Sequence, residues 1–216
     1  MKIALIGASG FVGTAVLNEL IERGHTITAI VRNPEKVKEN ALVTAVKVNA
    51  QDEGQLASAI QGHDAVVNSF SPGISSKNIY EDYLNGNIAI QNAVKKGGVK
   101  RLLVIGGAGS LFIAPDLQLV DSPEFPIDWK AGALSARDYL NLIKNENELD
   151  WTFLSPSIEM YNGNGGVRLG TYRTGLDTPV YGENGRSFIS VEDLAIAIVD
   201  ELEKPQFIRQ RFTVGY

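Results

Sequence analysis

The chain begins Met1-Lys-Ile-Ala-Leu-Ile-Gly7-Ala8-Ser9-Gly10-Phe11-Val12-Gly13. An apolar run, Ile3 to Ile6, empties into three glycines, and apolar residues then recur at Val12, Val16, Leu17 and Leu20, the spacing of one helix face. Strand, tight turn and helix follow from that order. A turn at the end of a buried strand needs a residue without Cβ, and an anion reaches the main chain only where side chains are missing. Gly7 and Gly10 meet those two needs, and Gly13 lets the helix pack closely on the strand. The helix start turns its free N–H groups and the positive end of its dipole toward the same place. The G-x-x-G-x-x-G spacing is one residue longer than G-x-G-x-x-G, and glycines alone would make only a flexible turn. The strand before and the helix after are what point to a pyrophosphate. Gly7, Ser9, Gly10, Phe11, Val12 and Gly13 are therefore the expected cradle of a dinucleotide.

Outward from this unit, apolar runs alternate with helical patterns. Strands are expected at Lys2 to Ile6, Thr26 to Val31, Val43 to Val48, Ala65 to Ser69, Arg101 to Ile105 and Trp151 to Leu154. Helices are expected at Phe11 to Ile21, Glu53 to Ile60, Ile79 to Lys96 and Ala131 to Asn147. Strand–helix–strand rhythm implies parallel pairing through right-handed crossovers, because a short hairpin cannot join parallel strands. The expected fold is α/β, a doubly wound parallel (Rossmann) sheet of order 3-2-1-4-5-6, with a crevice where the order reverses. Length suits one domain, residues 1–216. Within it, Gly, Asn and polar residues crowd residues 156–190, which read as a loop-rich substrate cover with short strands near Gly170 and Ser187. Ser190-Val-Glu-Asp193 resembles a capping box opening a helix that ends near Lys204-Pro205, and Arg211 to Val214 reads as a last short strand.

Composition narrows the function. A net charge of -5 disfavours a broad nucleic-acid surface. No apolar run is long enough to span a bilayer, and residues 1–13 form a strand and loop rather than a secretory leader, so the expected location is cytoplasmic. With no cysteine, disulfides, thiolate metal sites and cysteine nucleophiles are excluded. His25 and His63 both precede strands, at the amino ends of the sheet and away from the carboxyl ends where ligands of such folds collect, so both read as structural or solvated. No metal site is evident.

The carboxyl edge carries the chemistry. The second strand ends at Arg32, near the place where NAD-selective folds put an acid for the ribose hydroxyls. A guanidinium there can pair bidentately with a 2′-phosphate, and with Lys36 it argues for NADP over NAD. The alternative is a solvated surface arginine, with Glu35 close by. Asp52, Ser69, Phe70, Ser71, Gly107 and Pro156 complete the expected cofactor edge. For each serine, a role in a solvent-facing turn competes with ribose contact.

Three segments together resemble the atypical short-chain dehydrogenase/reductases: Gly7 to Gly13, Gly98-Val-Lys-Arg101-Leu-Leu-Val-Ile-Gly-Gly-Ala-Gly-Ser110, and Asp150-Trp-Thr-Phe-Leu-Ser-Pro156. Ser187-Phe-Ile-Ser-Val-Glu-Asp193 and Arg211-Phe-Thr-Val-Gly-Tyr216 resemble, within that superfamily, the small NAD(P)H-binding group described as NADH-flavin reductases, with biliverdin-reductase-B-like and NmrA-like relatives. The resemblance spans nearly the whole chain and implies a Rossmann fold and a nicotinamide cofactor.

Departures from the superfamily pattern select among its chemistries. Carbonyl-reducing members use Tyr-x-x-x-Lys, the lysine easing proton transfer from the phenol. Here Tyr139 and Lys144 are five apart, Tyr83 has no lysine four later, and Gly106 and Gly107 stand where a catalytic serine would. Ser110 is the nearest hydroxyl and Lys130 opens the proton-donor region, which makes these two the catalytic candidates. Reduction of a flavin or quinone survives the loss of a relay, because water can protonate a conjugated ring; epimerisation through a keto sugar does not. An NADPH-dependent reductase of FMN, FAD or a quinone is the leading expectation. The other is a non-catalytic NADP sensor of the NmrA kind. Phe112, Trp129 and Tyr161 are candidate contacts for a planar substrate, against the plainer reading that loop aromatics pack down. A flavin held as a prosthetic group, and a monomer or dimer, both stay open; Trp151, inside a strand, reads as core.

Overall fold

The computed structural model describes residues 1–73, 76–164 and 166–216. Strands β1 (Lys2–Ile6), β2 (Thr26–Val31), β3 (Val43–Lys47), β4 (Ala65–Asn68) and β5 (Arg101–Ile105) alternate with helices α1 (Phe11–Glu22), α2 (Glu53–Ile60) and α3 (Ile79–Lys96). A hairpin, β6 (Phe112–Ala114) and β7 (Leu117–Gln118), precedes α4 (Ile127–Ile143) and β8 (Asp150–Ser155). Strand β9 (Arg173–Gly175), helix α5 (Val191–Glu203) and strand β10 (Gln210–Gly215) complete the chain.

The main sheet runs β3-β2-β1-β4-β5-β8-β10-β9. Every pairing in it is parallel except β10 with β9. Its first six places reproduce the expected order 3-2-1-4-5-6, with β8 sixth; β10 extends the sheet and β9 closes its edge. Period-two alternation splits the core between two faces. Ile3 and Leu5 of β1 pack with Val16, Leu20, Ile198 and Phe212 on the side of α1 and α5. Ala4 and Ile6 pack with Ile60, Ile90, Tyr139 and Trp151 on the side of α2, α3 and α4. Trp151 is 2% exposed, a core residue as its strand position implied.

The largest departures from the sequence reading lie in α4 and in the segment before α5. Helix α4 starts at Ile127, four residues before Ala131, and ends at Ile143 rather than Asn147. Pro126 stands at its N-cap and fixes the entry dihedral. Ile127 and Trp129 in the first turn are exposed, so the apolar periodicity that marks a helix begins only after them. No strand forms at Ser187, and the edge strand lies at Arg173–Gly175, three residues beyond Gly170. In the cover segment, the buried Asp193 carboxylate accepts from the N–H groups of Leu169 at 2.7 Å and Gly170 at 2.8 Å. It thereby ties that segment to the start of α5, where Ser190 caps the helix by accepting from Asp193 N.

Candidate active site

The turn after β1 is built by exclusion of side chains. Gly7 has φ +79°, and a Cβ there would stand 2.4 Å from the carbonyl oxygen of Ser69. A Cβ on Gly13 would stand 2.0 Å from the Gly7 carbonyl oxygen. These two glycines are obligatory: one brings the turn against the end of β4, the other brings α1 onto the turn. At Gly10 a Cβ would meet only the Gly7 oxygen, at 3.3 Å. Gly7 N donates to Ile30 O at 2.9 Å, and Gly10 N to Gly7 O at 2.9 Å. No side chain caps α1. Among the described residues the N–H groups of Phe11, Val12 and Gly13 meet no acceptor. Three unfilled donors at the positive end of a helix are an anion site by construction.

This turn forms one end of a cleft of about 730 Å³ along the carboxyl ends of β1 to β5. Gly7, Ser9, Gly10, Phe11, Val12, Arg32, Ser69, Phe70 and Ser71 all line it, so the structure gathers nine of the expected cofactor contacts on one surface. Arg32 and Lys36 stand together at the end of β2, and neither forms an ion pair among the described residues. At the cleft's other end are Phe70, Asp82, Tyr83, Ile105, Gly106 and Asn162.

Other expected residues fall outside the cleft wall. Gly13 lies behind it, as a packing glycine. Asp52 is spent as the N-cap of α2, accepting from Gln55 N at 2.9 Å. Gly107 sits with its Cα facing Ala136 of α4, and Pro156 is buried. Ser110 is 2% exposed, and its oxygens accept from the buried Arg211 guanidinium at 3.3 Å. Lys130 lies in the first turn of α4, outside the wall. Neither catalytic candidate reaches the cleft. Gly106 explains why no serine ends β5: a Cβ there would stand 2.0 Å from the Phe153 ring. Tyr139 is buried, with its hydroxyl donating to Gln91 at 3.2 Å, a core tyrosine rather than an acid.

The three aromatic candidates separate. Trp129 and Tyr161 pair with ring centroids 5.4 Å apart and stay 53% and 43% exposed, next to Asn162 in the cleft wall. Phe112 instead lines a second hollow, with Pro115, Thr178, Pro179 and Tyr181. Both histidines are engaged at the opposite end of the sheet. His25 bonds the terminal amine and Glu203, and His63 bonds Thr28. Among the described residues no group of three His, Asp or Glu side chains is arranged to hold a metal ion, and no helix is long and apolar enough to cross a membrane.

The sequence reading missed Tyr83 and Asp82 as cleft residues, because α3 looks like an ordinary amphipathic helix whose polar start faces water. Gly86 was the available signal. A Cβ there would stand 2.3 Å from the Phe70 ring, so the helix is shaved to admit that aromatic into the cleft floor. Burial pushes the Tyr83 phenol well above the usual tyrosine range, outweighing the opposing effect of Asn87.

Fold and site together define a Rossmann-type nucleotide-binding protein, with an open main-chain cradle at the first βα turn. The NAD(P)H-binding family model matches residues 7–205, and the chain belongs to that family. It is 39% identical to the uncharacterized protein YwnB of Bacillus subtilis, over 99% of this chain and 98% of that protein. Among solved structures it is similar to a "putative epimerase" of Bacteroides thetaiotaomicron, 45% identical with a TM-score of 0.92, covering 100% of this chain and 96% of the other. It is likewise similar to a "putative NADH-flavin reductase" of Streptococcus pneumoniae, 32% identical with a TM-score of 0.85, covering 100% and 99%. These matches agree with the atypical short-chain dehydrogenase/reductase superfamily that the motifs resemble.

Proposed function

We propose that this chain is an NADPH-dependent reductase that passes hydride to a flavin, quinone or similar conjugated acceptor. One observation carries the reading: among the described residues the cleft offers an open anion cradle and two unpaired cations at one end, and no tyrosine–lysine proton relay at the other. The N–H groups of Phe11 and Val12 hold the diphosphate, with Gly7, Ser9 and Gly10 as its bare floor. Arg32 and Lys36 take the 2′-phosphate, for which a guanidinium fork is suited and an unmodified ribose hydroxyl is not. Ser69, Phe70 and Ser71 border the ribose and the nicotinamide. When bound, the reduced nicotinamide supplies the hydride. Trp129 and Tyr161 form the outer aromatic wall for the acceptor. Ser110 and Lys130 move no proton in this scheme.

The epimerase name carried by one neighbour fits less well, because no tyrosine–lysine pair stands in the described cleft wall to relay protons at a sugar carbon. A net charge of -5 supports a small-molecule acceptor rather than a nucleic acid, and a cytoplasmic setting goes with that. Mixing the protein with NADPH or NADH, then FMN, riboflavin or a quinone, and following reduced nicotinamide absorbance tests the reading. Turnover well above the uncatalysed rate, faster with NADPH, is expected. Tight NADP binding without turnover on any acceptor would replace the reductase with the NmrA-type sensor.

A further inference from the structure

Tyr83 is a polar residue of the cleft wall to which the reductase reading gives no role. It lies on α3, at the inner end of the cleft with Phe70 and Gly106, where the open cradle at the other end would leave room for a reacting ring. A buried amide pair braces the main chain on either side of it. Asn68 and Asn87 are each 1% exposed, and Asn68 Nδ2 donates to Asn87 Oδ1 at 2.7 Å. Asn68 Oδ1 accepts from Phe70 N at 3.0 Å, and Asn87 Nδ2 donates to the Tyr83 carbonyl at 2.8 Å. The main chain of Phe70 and that of Tyr83 are thus joined through one hydrogen-bonded chain, from the end of β4 to the second turn of α3. Buried amides are retained only when satisfied, and this pair is satisfied by holding the cleft wall.

Asn87 is the polar side chain that acts against burial on the phenol, and no acceptor among the described residues takes the phenol proton. A neutral donor with a free proton, held by a buried network in a partly apolar wall, is suited to a carbonyl oxygen.

We infer that Tyr83 is the specificity residue of the acceptor site, donating a hydrogen bond to a ring carbonyl oxygen and so selecting quinone- or flavin-type acceptors over conjugated rings without one. The inference rests on the reductase reading above. In the reaction the acceptor gains a hydride from the reduced nicotinamide, which is oxidised. Negative charge gathers on the carbonyl oxygen, where a fixed donor is worth most. That oxygen takes its proton from water, and Tyr83 keeps its own. Burial favours this, since it holds the phenol protonated across the working pH range.

The test compares wild type with Tyr83→Phe, using menadione, which carries ring carbonyls, and N-methylphenazinium, which has none. Binding of each in the presence of NADP⁺ is followed by tryptophan fluorescence, and turnover with NADPH by absorbance. The expected result is menadione binding weakened about tenfold and menadione turnover lowered about tenfold to a hundredfold. Both readouts with N-methylphenazinium and the affinity for NADP⁺ should stay within about twofold. Unchanged menadione binding and turnover would overturn the role of Tyr83 while leaving the reductase intact. Equal losses with both acceptors, or a matching loss of NADP⁺ affinity, would overturn it in favour of a merely structural role. A wild type inactive on every acceptor would bring down the reductase reading itself, and this inference with it.

Discussion

The two ends of the sheet are finished differently. At the amino end a cluster of charges is paired: Arg23 meets Glu19 at 2.8 Å, Asp200 at 2.7 Å and Glu203 at 2.9 Å, while His25 takes the other oxygen of Glu203. Arg168 adds contacts to Glu19 and Glu22, and Tyr172 donates to Asp200 at 2.6 Å. At the carboxyl end Arg32, Lys36 and the first N–H groups of α1 have none among the described residues. A fold that satisfies its polar groups so fully at one end and leaves them open at the other has kept the second end for a ligand. Histidine and arginine counts alone would have pointed to the wrong end.

Breaking the cradle should have the largest effect. Gly13→Ala drives a methyl into the Gly7 carbonyl, with main chain on both sides and no flexible side chain to yield. We expect a destabilisation of about 3 kcal/mol or more, typical of severe overpacking, and loss of detectable NADP⁺ binding. Urea unfolding and calorimetry check the two halves separately; a variant of wild-type stability would show that α1 can back away from the turn. Next is the buried pair beneath the closed end. Arg101 donates to Glu201 at 2.8 Å and to Thr152 at 2.7 Å, with side chains only 10% and 3% exposed for the two ions. Arg101→Met leaves a buried carboxylate without its cation, at a cost of about 3–5 kcal/mol. NADP⁺ affinity of the folded fraction should be unchanged, which separates a closed-end defect from an open-end one.

Arg32→Ala tests the open end itself. Arg32 is exposed and unpaired, so its removal should leave urea stability within about 0.5 kcal/mol. NADPH affinity should fall about tenfold to a hundredfold, the worth of a charge-assisted pair, while NADH affinity stays within about twofold. Equal losses for the two nucleotides would return Arg32 to the solvated surface.

Much of this contrast was legible in the sequence, for reasons that can be located. Gly7, Gly10 and Gly13 were readable because a missing Cβ between an apolar run and a helix has few other uses, and alternation gave the parallel pairing from which the doubly wound strand order was expected. Arg32 was readable because it ends a strand whose limits, Thr26 and Val31, the structure reproduces. What stayed hidden depends on contacts distant in sequence. Nothing near Ser110 announces that Arg211 will claim its oxygens, and nothing near Phe112 shows that the β6–β7 hairpin turns it toward Pro179. Tyr83 was named only as a tyrosine lacking a lysine, since its place in the wall depends on α3 packing beside Phe70 at the end of β4, through Gly86. Local turn chemistry is written locally; the inner wall of the cleft is written in tertiary packing.

The smallest expected effect concerns acid. Burial alone would raise the Asp193 carboxyl, but hydrogen bonds from Tyr216, the Leu169 and Gly170 main chain and Ser190 outweigh it and hold its pKa below the ordinary 3.8. Glu203 behaves alike, burial being outweighed by Arg23 and His25, and sits below 4.5. A carboxyl depressed in the folded state stabilises the protein above its unfolded pKa, and that contribution is lost as pH falls through the folded value. Stability should therefore decline below about pH 4.5, the range in which unfolded carboxylates begin to bind protons, with no matching decline on the neutral side from these two groups. Asp193→Asn keeps one acceptor oxygen for the Leu169 and Gly170 N–H groups and removes the charge, so it should lower stability at pH 7 by about 1 kcal/mol or more and flatten the acid branch. Asp193, Leu169 and Gly170 are not part of the cleft wall, so NADP⁺ affinity at pH 7 should hold within about twofold. A parallel loss of affinity would mean that the cover segment tied down by Asp193 also shapes the nucleotide site.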